Sequence, residues 1–265
     1  VMLFAHMDQL GFIVRKIEED GFLLVERVGG VPEKALPSQA VLVIVADGKD
    51  LDGVIANKSH HATAQNEKYQ VLPYKKLYID VGLKNSSEVE KAGIRIGSPI
   101  VFSPKSFQIG RDRIAGTSVD DRAGCAVGLE IARYLSARVK GPPVHLVFTV
   151  QEEYNLRGAL PIAQKLVPDI AIQLDLILAT DTPDMKDRGN VVLGHGPAIS
   201  MFSFHGRGTL NGVIPHPKMV GLFEQTSQKL KIPLQRSAHT GALTDLSYVQ
   251  LVGEGVASID IGFPM

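Results

Sequence analysis

The amino-acid sequence predicts an α/β fold, a mostly parallel sheet with helices on both faces, carrying an inserted small β-barrel-like domain. From about residue 114 onward helical and strand patterns alternate, which is typical of a parallel sheet. From about residue 12 to residue 112, short β-rich segments dominate instead. The apolar run 1–5 precedes this block but has the composition of a strand of the larger sheet. These observations predict a discontinuous α/β domain at 1–11 and 113–265 and an inserted β-rich domain at 12–112.

Helices of the larger domain are predicted where apolar residues recur at helical spacing. The clearest spans 121–139, with Ala123, Val127, Ile131 and Leu135 four residues apart. The other predicted elements are helices near 158–166, 217–231 and 244–251, and strands at 144–150, 170–178 and 256–262.

The strands of the inserted domain are predicted from its β-rich segments, 11–15, 22–28, 40–46, 53–56, 76–81 and 99–102. Many short strands at close spacing indicate a small barrel or sandwich. A short helix is predicted at 87–92, because Ser87 and Glu90 match a capping box and Gly93 can end the helix. The chain begins and ends on apolar strand patterns whose edges need covering, so we expect a longer protein, truncated at both ends.

Composition excludes several classes of function. Lys plus Arg and Asp plus Glu are both 28, so there is no bias toward nucleic acid or anionic lipid. No apolar run is long enough to span a membrane, and no signal peptide pattern opens the chain. The single cysteine, Cys125, lies in an apolar helical segment and is read as a small core residue. These features predict a cytoplasmic protein that binds neither nucleic acid nor a membrane.

The first candidate residues for metal binding and proton transfer are charged residues at the ends of predicted strands. Glu152 and Glu153 directly follow the run 144–150, and adjacent side chains on a strand point opposite ways, so one could bind a cation while the other moves a proton. His6 and Asp8 are two residues apart and face the same side of a strand. His6 could then bind a metal that Asp8 helps to orient, although a structural ion pair is the alternative.

Three further acidic positions follow the same logic. Asp120 and Asp121 precede a predicted helix, where capping the helix is the structural alternative to binding a metal. Asp175 lies within the apolar run 170–178, where a buried carboxylate needs a cation, and Asp181 follows soon after. Ligands gather at the carboxyl ends of strands in parallel sheets, and all these clusters lie at or near such ends. Together they indicate a two-metal hydrolase.

The motifs resemble those of the cytosolic metallo-aminopeptidases that include glutamyl, deblocking and tetrahedral (TET) aminopeptidases. The resemblance covers essentially the whole chain and rests on Ala5-His6-Met7-Asp8-Gln9-Leu10-Gly11-Phe12, Asp120-Asp121-Arg122-Ala123-Gly124 and Glu152-Glu153-Tyr154-Asn155-Leu156-Arg157-Gly158. The sequence departs from the family pattern at Ala242-Leu243-Thr244-Asp245, where the family has Gly-Gly-Thr-Asp, and at Tyr154-Asn155, where it has Val-Gly. These departures bear on substrate preference more than on the chemistry.

This resemblance implies a zinc-exopeptidase-like fold that removes N-terminal residues from peptides with two divalent cations per subunit, Zn²⁺ first and Co²⁺ or Mn²⁺ as alternatives. It assigns His6 and Asp175 to one metal, Asp120 to both, Glu153 to the second, Glu152 to the general base and Asp8 to the support of His6. A further histidine of the second metal is expected beyond Met265. The inserted domain is expected to serve dimerisation and assembly, so the resemblance predicts a homo-oligomer, either a dimer or a dodecamer.

Two alternatives remain open at this point. Paired carboxylates can also cleave sugars, so an endoglucanase-type glycosidase is one, but the chain has no Trp and 6% aromatic residues for stacking on sugars. A catalytically silent assembly protein of the same fold is the other. Among the remaining histidines, His239 could line the pocket, whereas His60 and His61 lie in a polar loop and are expected to be solvated.

Overall fold

The computed structural model describes residues 1–46, 48–138, 140–206 and 210–265, which form two compact units. The larger unit comprises Val1–Asp8 and Val119–Met265, and the smaller comprises Gln9–Ser118. The chain therefore passes between the units after Asp8 and after Ser118. The predicted boundaries, after residues 11 and 112, differ from these by three and six residues (11 − 8 and 118 − 112). Within the described ranges, no helix is both long enough and apolar enough to cross a membrane.

The first strand, β1 (Met2–His6), belongs to the larger unit, and the chain then enters the smaller one. Six antiparallel strands close into a barrel there: β2 (Gly11–Ile17), β3 (Leu23–Val28), β4 (Ala40–Val43), β5 (Leu51–Ala56), β6 (Tyr78–Asp80) and β7 (Pro99–Phe102). Their order around the barrel is β2-β3-β6-β5-β4-β7. The predicted small barrel is confirmed, because each predicted β-rich segment contributes one strand.

The core of the barrel forms because side chains alternate along each strand, so that every second one points inward. Fully buried residues come from nearly every strand, among them Val14, Leu23, Val41, Val43, Ile55, Ile79 and Ile100. A hairpin of β8 (Ser106–Ile109) and β9 (Arg113–Gly116) follows the barrel strands along the chain.

The short helix of this unit, α1 (Ser86–Lys91), corrects one prediction. Its N-cap is Asn85, whose side-chain oxygen accepts a hydrogen bond from the backbone N–H of Glu88 (2.9 Å). The predicted Ser87–Glu90 capping box is therefore wrong by two residues. Asn is as good an N-cap as Ser, and here the helix begins at Ser86, two residues earlier than a Ser87 N-cap would place its first residue.

In the described residues, the larger unit continues with four helices and six strands, which form a seven-stranded sheet together with β1. These are α2 (Val119–Ser136), β10 (His145–Thr149), α3 (Ala159–Leu166), β11 (Ile170–Ile177), β12 (Ala198–Phe204), β13 (Gly212–Val213), α4 (Pro217–Leu230), β14 (Gln235–Thr240), α5 (Leu246–Val249) and β15 (Ala257–Pro264). The strand order is β10-β1-β11-β15-β12-β13, with β14 also paired to β12. The predicted end of the first helix at Val139 lies outside the described residues, and α2 ends at Ser136.

Most neighbouring strands of this sheet run parallel, as predicted. β1 is parallel to both β10 and β11, and β11 is parallel to β15, whereas β12 runs antiparallel to β15. The strands β12, β13 and β14 were not predicted. β14 reads Gln-Arg-Ser-Ala-His-Thr, which is too polar to be recognised as a strand by its hydrophobicity.

Both faces of the sheet are covered by helices. Met2 and Phe4 of β1 point to the face that packs against α3 and α5, and Leu3 and Ala5 point to the face covered by α2. His6 continues the Met2 and Phe4 face because side chains alternate along a strand. Parallel pairing brings the carboxyl ends of β1, β10 and β11 to one edge of the sheet. The side chains at that edge form the site described next.

Candidate metal centre

Three buried side chains meet at the carboxyl edge of the sheet. His6 ends β1, Asp175 lies on β11, and Glu152 follows the end of β10. Each offers one ligand atom, and these atoms all lie within 4.8 Å of one another. The described residues contain no other such group of at least three His, Cys, Asp or Glu side chains. An imidazole and two carboxylates at this separation are a donor set suited to a divalent cation such as Zn²⁺.

Strand register explains why His6 and Asp175 meet although 169 positions (175 − 6) separate them in the chain. β1 and β11 pair Phe4 with Gln173, so the next residues on the same face are His6 and Asp175. β1 and β10 pair His6 with Thr149, which leaves Glu152 just beyond the end of the pairing. The sheet therefore supplies two of the three groups, and the loop after β10 supplies the third.

Asp8 holds this loop in place. Its Oδ1 accepts a hydrogen bond from the backbone N–H of Glu152, and its Oδ2 accepts one from the N–H of Glu153, each at 3.2 Å. The same carboxylate lies 3.4 Å from Nδ1 of His6, without the geometry of a full hydrogen bond. Burial acts to raise the pKa of Asp8, but the contact with His6 and the two N–H donors keep it below its usual value. Asp8 thus links the His6 strand to the Glu152 loop.

The two acidic residues at the start of α2 have different surroundings. Asp120 approaches the site directly, with Oδ1 at 3.0 Å from Nε2 of His6. Asp121 is fully buried; its Oδ2 accepts a hydrogen bond from the backbone N–H of His6 and its Oδ1 accepts one from the N–H of Gly124. Asp121 therefore provides the capping interaction that was the structural alternative for this pair, and Asp120 is left facing the imidazole.

The electrostatics of the site reflect several acidic groups held away from water. Burial raises the pKa of Glu152 and of Asp175 well above the usual range of carboxyl groups, and nearby carboxylates add to the shift. Burial alone would lower the pKa of His6, but the contacts with Asp120 and Asp8 raise it to about 12. A cluster of buried carboxylates is costly unless protons or a cation balance its negative charge. The residues therefore fit a divalent metal.

A layer of buried polar residues behind the site was not singled out from the sequence. Thr149 donates a hydrogen bond to Asp245 (3.0 Å), and Thr244 donates one to Asp260 (3.1 Å). Burial raises the pKa of Asp245 to about 6 and that of Asp260 to about 7. Gln173 is also fully buried and bonds to Asp175. Thr244 and Asp245 were noted only as part of an element that departs from the family pattern, and the one signal for the others was that polar residues interrupt strand patterns.

The remaining predicted residues are not members of the group of three. Glu153 is half-buried on the loop that Asp8 holds, and Asp120 and Asp8 contact His6 without being members of the group. Asp181 accepts a long hydrogen bond from the N–H of Leu193 (3.4 Å) and is not a member. His239 lies on β14, four steps along the sheet from β1 in the order β1-β11-β15-β12-β14. His60 and His61 are exposed in the smaller unit, as expected.

A buried histidine and carboxylate group at the carboxyl edge of an α/β sheet defines a candidate metallohydrolase. The sequence pattern of one family, described as M42 glutamyl aminopeptidase, matches residues 1–265. The chain therefore belongs to the M42 glutamyl aminopeptidase family, a metal-dependent family of aminopeptidases, which are hydrolases of peptide bonds. Its resemblance to glutamyl and TET aminopeptidases is confirmed.

Individual relatives agree with this membership. The SgcX protein of Escherichia coli strain K12 is 36% identical over 264 residues, which is 100% of this chain and 70% of SgcX. The solved structure of aminopeptidase APDkam598 from Desulfurococcus kamchatkensis is 38% identical, with a TM-score of 0.90 over 99% of this chain and 71% of that one.

Two more distant structures bear on assembly and on the glycosidase alternative. The TET1 peptidase of Pyrococcus horikoshii, which can assemble into a tetrahedron or a large octahedral shell, is 25% identical with a TM-score of 0.86 over 99% of this chain and 74% of that one. A structure from Thermotoga maritima described as an endoglucanase is 28% identical with a TM-score of 0.72 over 99% of this chain and 70% of that one. The name endoglucanase thus occurs on the same fold as the aminopeptidases.

Proposed function

We propose that this protein removes N-terminal residues from peptides in a metal-dependent reaction at the carboxyl edge of the sheet, with Glu152 as the general base. The observation that carries the proposal is the buried group of His6, Glu152 and Asp175, whose ligand atoms lie within 4.8 Å of one another. Asp120 lies 3.0 Å from His6 and would reach a second cation beside this group. Membership of an aminopeptidase family gives the reaction class.

The proposed ligands are divided between two divalent cations. His6 and Asp175 would hold the first, Asp120 would contact both, and Glu153 would hold the second together with a histidine beyond Met265. Zn²⁺ suits this mixture of imidazole and carboxylate donors, and Co²⁺ or Mn²⁺ are alternatives. When bound, such cations polarise a peptide carbonyl and lower the pKa of a coordinated water.

The chain's own groups would move the proton. Glu152 is buried, and burial raises its pKa above that of an exposed glutamate, which is the direction in which a carboxylate becomes a stronger base. Glu152 would accept a proton from the attacking water and deliver it to the departing amine. Asp8 fixes the backbone of Glu152 and Glu153 through the two N–H contacts, so the main chain that carries both carboxylates is positioned before the reaction.

A different division of roles between Glu152 and Glu153 is the main competitor within this proposal. Glu152, and not Glu153, is the residue grouped with His6 and Asp175, and its Oε2 lies 3.8 Å from Nε2 of His6. That distance is also compatible with a carboxylate that contacts a bound water rather than the cation. Metal analysis of variants at the two positions separates these possibilities.

Activity measurements test the proposal as a whole. The full-length protein is stripped with a chelator and assayed on a panel of aminoacyl chromogenic substrates, before and after addition of Zn²⁺, Co²⁺ or Mn²⁺. We expect cleavage of substrates with a free α-amine, loss of activity on chelation and recovery on metal addition. An N-acetylated version of the best substrate is the matched control and should resist cleavage.

Three outcomes would contradict the proposal. Release of glucose from a β-glucan without release of amino acids would favour the glycosidase. Stoichiometric metal with no hydrolysis of any substrate would favour a catalytically silent protein. Undiminished peptide cleavage after complete removal of metal would exclude the proposed chemistry.

The smaller unit has a separate proposed role. We propose that the barrel unit mediates homo-oligomerisation, as a dimer or a dodecamer, in a cytoplasmic protein. The assembly of the TET1 peptidase into closed shells supports this proposal, because that structure matches this chain over both units. Enclosed active sites would admit short or unfolded peptides and exclude folded proteins.

A further inference from the structure

Gln173 is a fully buried polar residue in the middle of β11, in a segment that otherwise reads as an apolar strand. Its side chain makes two hydrogen bonds. Nε2 donates to Oδ2 of Asp175 (2.8 Å), and Oε1 accepts from the backbone N–H of Leu246 (2.6 Å). One side chain therefore joins a proposed metal ligand to the first residue of α5.

The orientation of this amide is determined by its two partners. A backbone N–H can only donate, and an ionised carboxylate can only accept. The oxygen of Gln173 must consequently face Leu246 and its nitrogen must face Asp175. An acidic side chain of the same length would offer an acceptor to Asp175 when ionised, and an apolar one would leave both partners buried without a hydrogen bond. Glutamine meets both requirements.

The contact with Gln173 completes the support of Asp175. Oδ1 of Asp175 accepts a hydrogen bond from the N–H of Leu176 (2.6 Å), and Oδ2 accepts the one from Gln173. Each oxygen of this carboxylate therefore has one donor from the protein. Two donors on different oxygens restrict rotation of the carboxylate about its terminal bond. One of these two oxygens is also the atom that lies within 4.8 Å of the ligand atoms of His6 and Glu152. Partners of this kind commonly alter metal affinity by about 10- to 100-fold.

We propose that Gln173 is a positioning residue that holds the Asp175 carboxylate in the orientation needed to bind the first metal. This inference rests on the proposed function, because it assumes that Asp175 is a ligand. Gln173 does not face the substrate or the metal in this role and acts only through Asp175. The expected consequence is that metal affinity depends on Gln173 more strongly than folding stability does.

The competing explanation is that Gln173 only anchors the start of α5. Thr244 provides a matched control for that explanation. It lies two residues before Leu246, is also buried, and donates a hydrogen bond to Asp260 rather than to a proposed ligand. Replacing Thr244 by Val removes a buried hydrogen bond from the same segment and leaves the contact between Gln173 and Asp175 in place.

The test compares Gln173→Met, Thr244→Val and the unmodified full-length protein, each freed of metal. Dissociation constants for Zn²⁺ and Co²⁺ are measured by competition with a chromophoric chelator, and thermal unfolding of the metal-free proteins is measured in parallel. We expect Gln173→Met to weaken metal binding by about 10- to 100-fold. Thr244→Val should lower the unfolding temperature but change the dissociation constant by less than about twofold.

If Gln173→Met does not fold, Gln173→Asn takes its place, because it keeps the amide but is one methylene too short to reach both partners. Unchanged metal affinity in a folded Gln173 variant, or an equal loss of affinity in Thr244→Val, would overturn the inference. The proposed function fails in a different way. In that case the unmodified protein would bind no divalent cation, or Asp175→Ala would bind it as tightly as the unmodified protein.

Discussion

Nε2 of His6 lies 3.0 Å from Oδ1 of Asp120, although 114 positions separate the two residues in the chain. The whole smaller unit lies between them in sequence, yet both belong to the larger unit. The backbone N–H of His6 bonds to Asp121, so the start of α2 is attached to the end of β1 by both the main chain and the side chain of one residue. The insertion therefore separates two halves of one site in sequence without separating them in space.

The first prediction concerns Glu152. Glu152→Gln should reduce turnover by about 10²- to 10⁴-fold, the usual contribution of a general base, while the metal content stays at the unmodified level. Steady-state assays and metal analysis on the same preparation measure both quantities. Glu153→Gln is the matched control and should lose one equivalent of metal. If instead Glu152→Gln loses metal and Glu153→Gln does not, the roles of the two residues are exchanged.

A second prediction separates the neighbouring acids of α2. Asp120→Ala should lose both metals together, because this carboxylate is proposed to contact the two cations. Asp121→Asn should keep the metals and lower the free energy of unfolding by about 1–3 kcal/mol, because its amide oxygen can still accept from the N–H of Gly124 but its NH2 group cannot accept from the backbone N–H of His6. Metal analysis and denaturant unfolding check the pair. Loss of a single equivalent from folded Asp120→Ala would remove the bridging role.

The third prediction uses the close pairing of β11 and β15. Gly262 lies opposite Asp175, and a Cβ added at Gly262 would overlap the Asp175 carbonyl oxygen. Gly262→Ala must push the strands apart and should cost about 3 kcal/mol or more in the free energy of unfolding. Gly221→Ala is the control: Gly221 lies in α4 with open space where a Cβ would be added, and the change should stabilise the protein by about 0.5–1 kcal/mol.

Equal stabilities for Gly262→Ala and the unmodified protein would mean that the two strands can separate at this point without loss. Metal binding by Gly262→Ala is informative as well. Because Asp175 shares the strained position, a folded Gly262→Ala protein should bind metal more weakly than Gly221→Ala does.

The fourth prediction concerns assembly. The full-length protein should be a homo-oligomer at micromolar concentration, and light scattering coupled to gel filtration gives its mass. Either a dimer or a dodecamer supports the proposed role of the barrel unit. A monomer of the full-length protein at that concentration would remove this role.

Much of the fold could be predicted because local patterns and tertiary requirements agree. The six β-rich segments each became a barrel strand, and the apolar runs at 144–150, 170–178 and 256–262 correspond to β10, β11 and β15. The prediction was wrong where local signals were ambiguous. The polar strand β14 was missed, and the cap of α1 was placed at Ser87 instead of Asn85.

The sequence alone determined which kinds of side chain are available and on which elements they lie. His6, Asp120, Glu152 and Asp175 could be selected because charged residues at the ends of apolar strands are costly unless they are used. Register then decided which of them meet: Phe4 pairs with Gln173, and this brings His6 and Asp175 together.

Only the tertiary structure decided the contacts made by side chains whose partners are distant in the chain. Neither spacing nor periodicity specifies these contacts. They include the bond of Asp8 to the Glu152 loop, the capping of α2 by Asp121, and the bonds of Gln173 to Asp175 and Leu246. A hydrogen bond depends on the distance and angle between two particular atoms, and many sequences share a strand pattern while differing in those positions. The physical reason is that hydrophobic patterning selects the layers of a fold, whereas directional polar contacts are set only after the layers have packed.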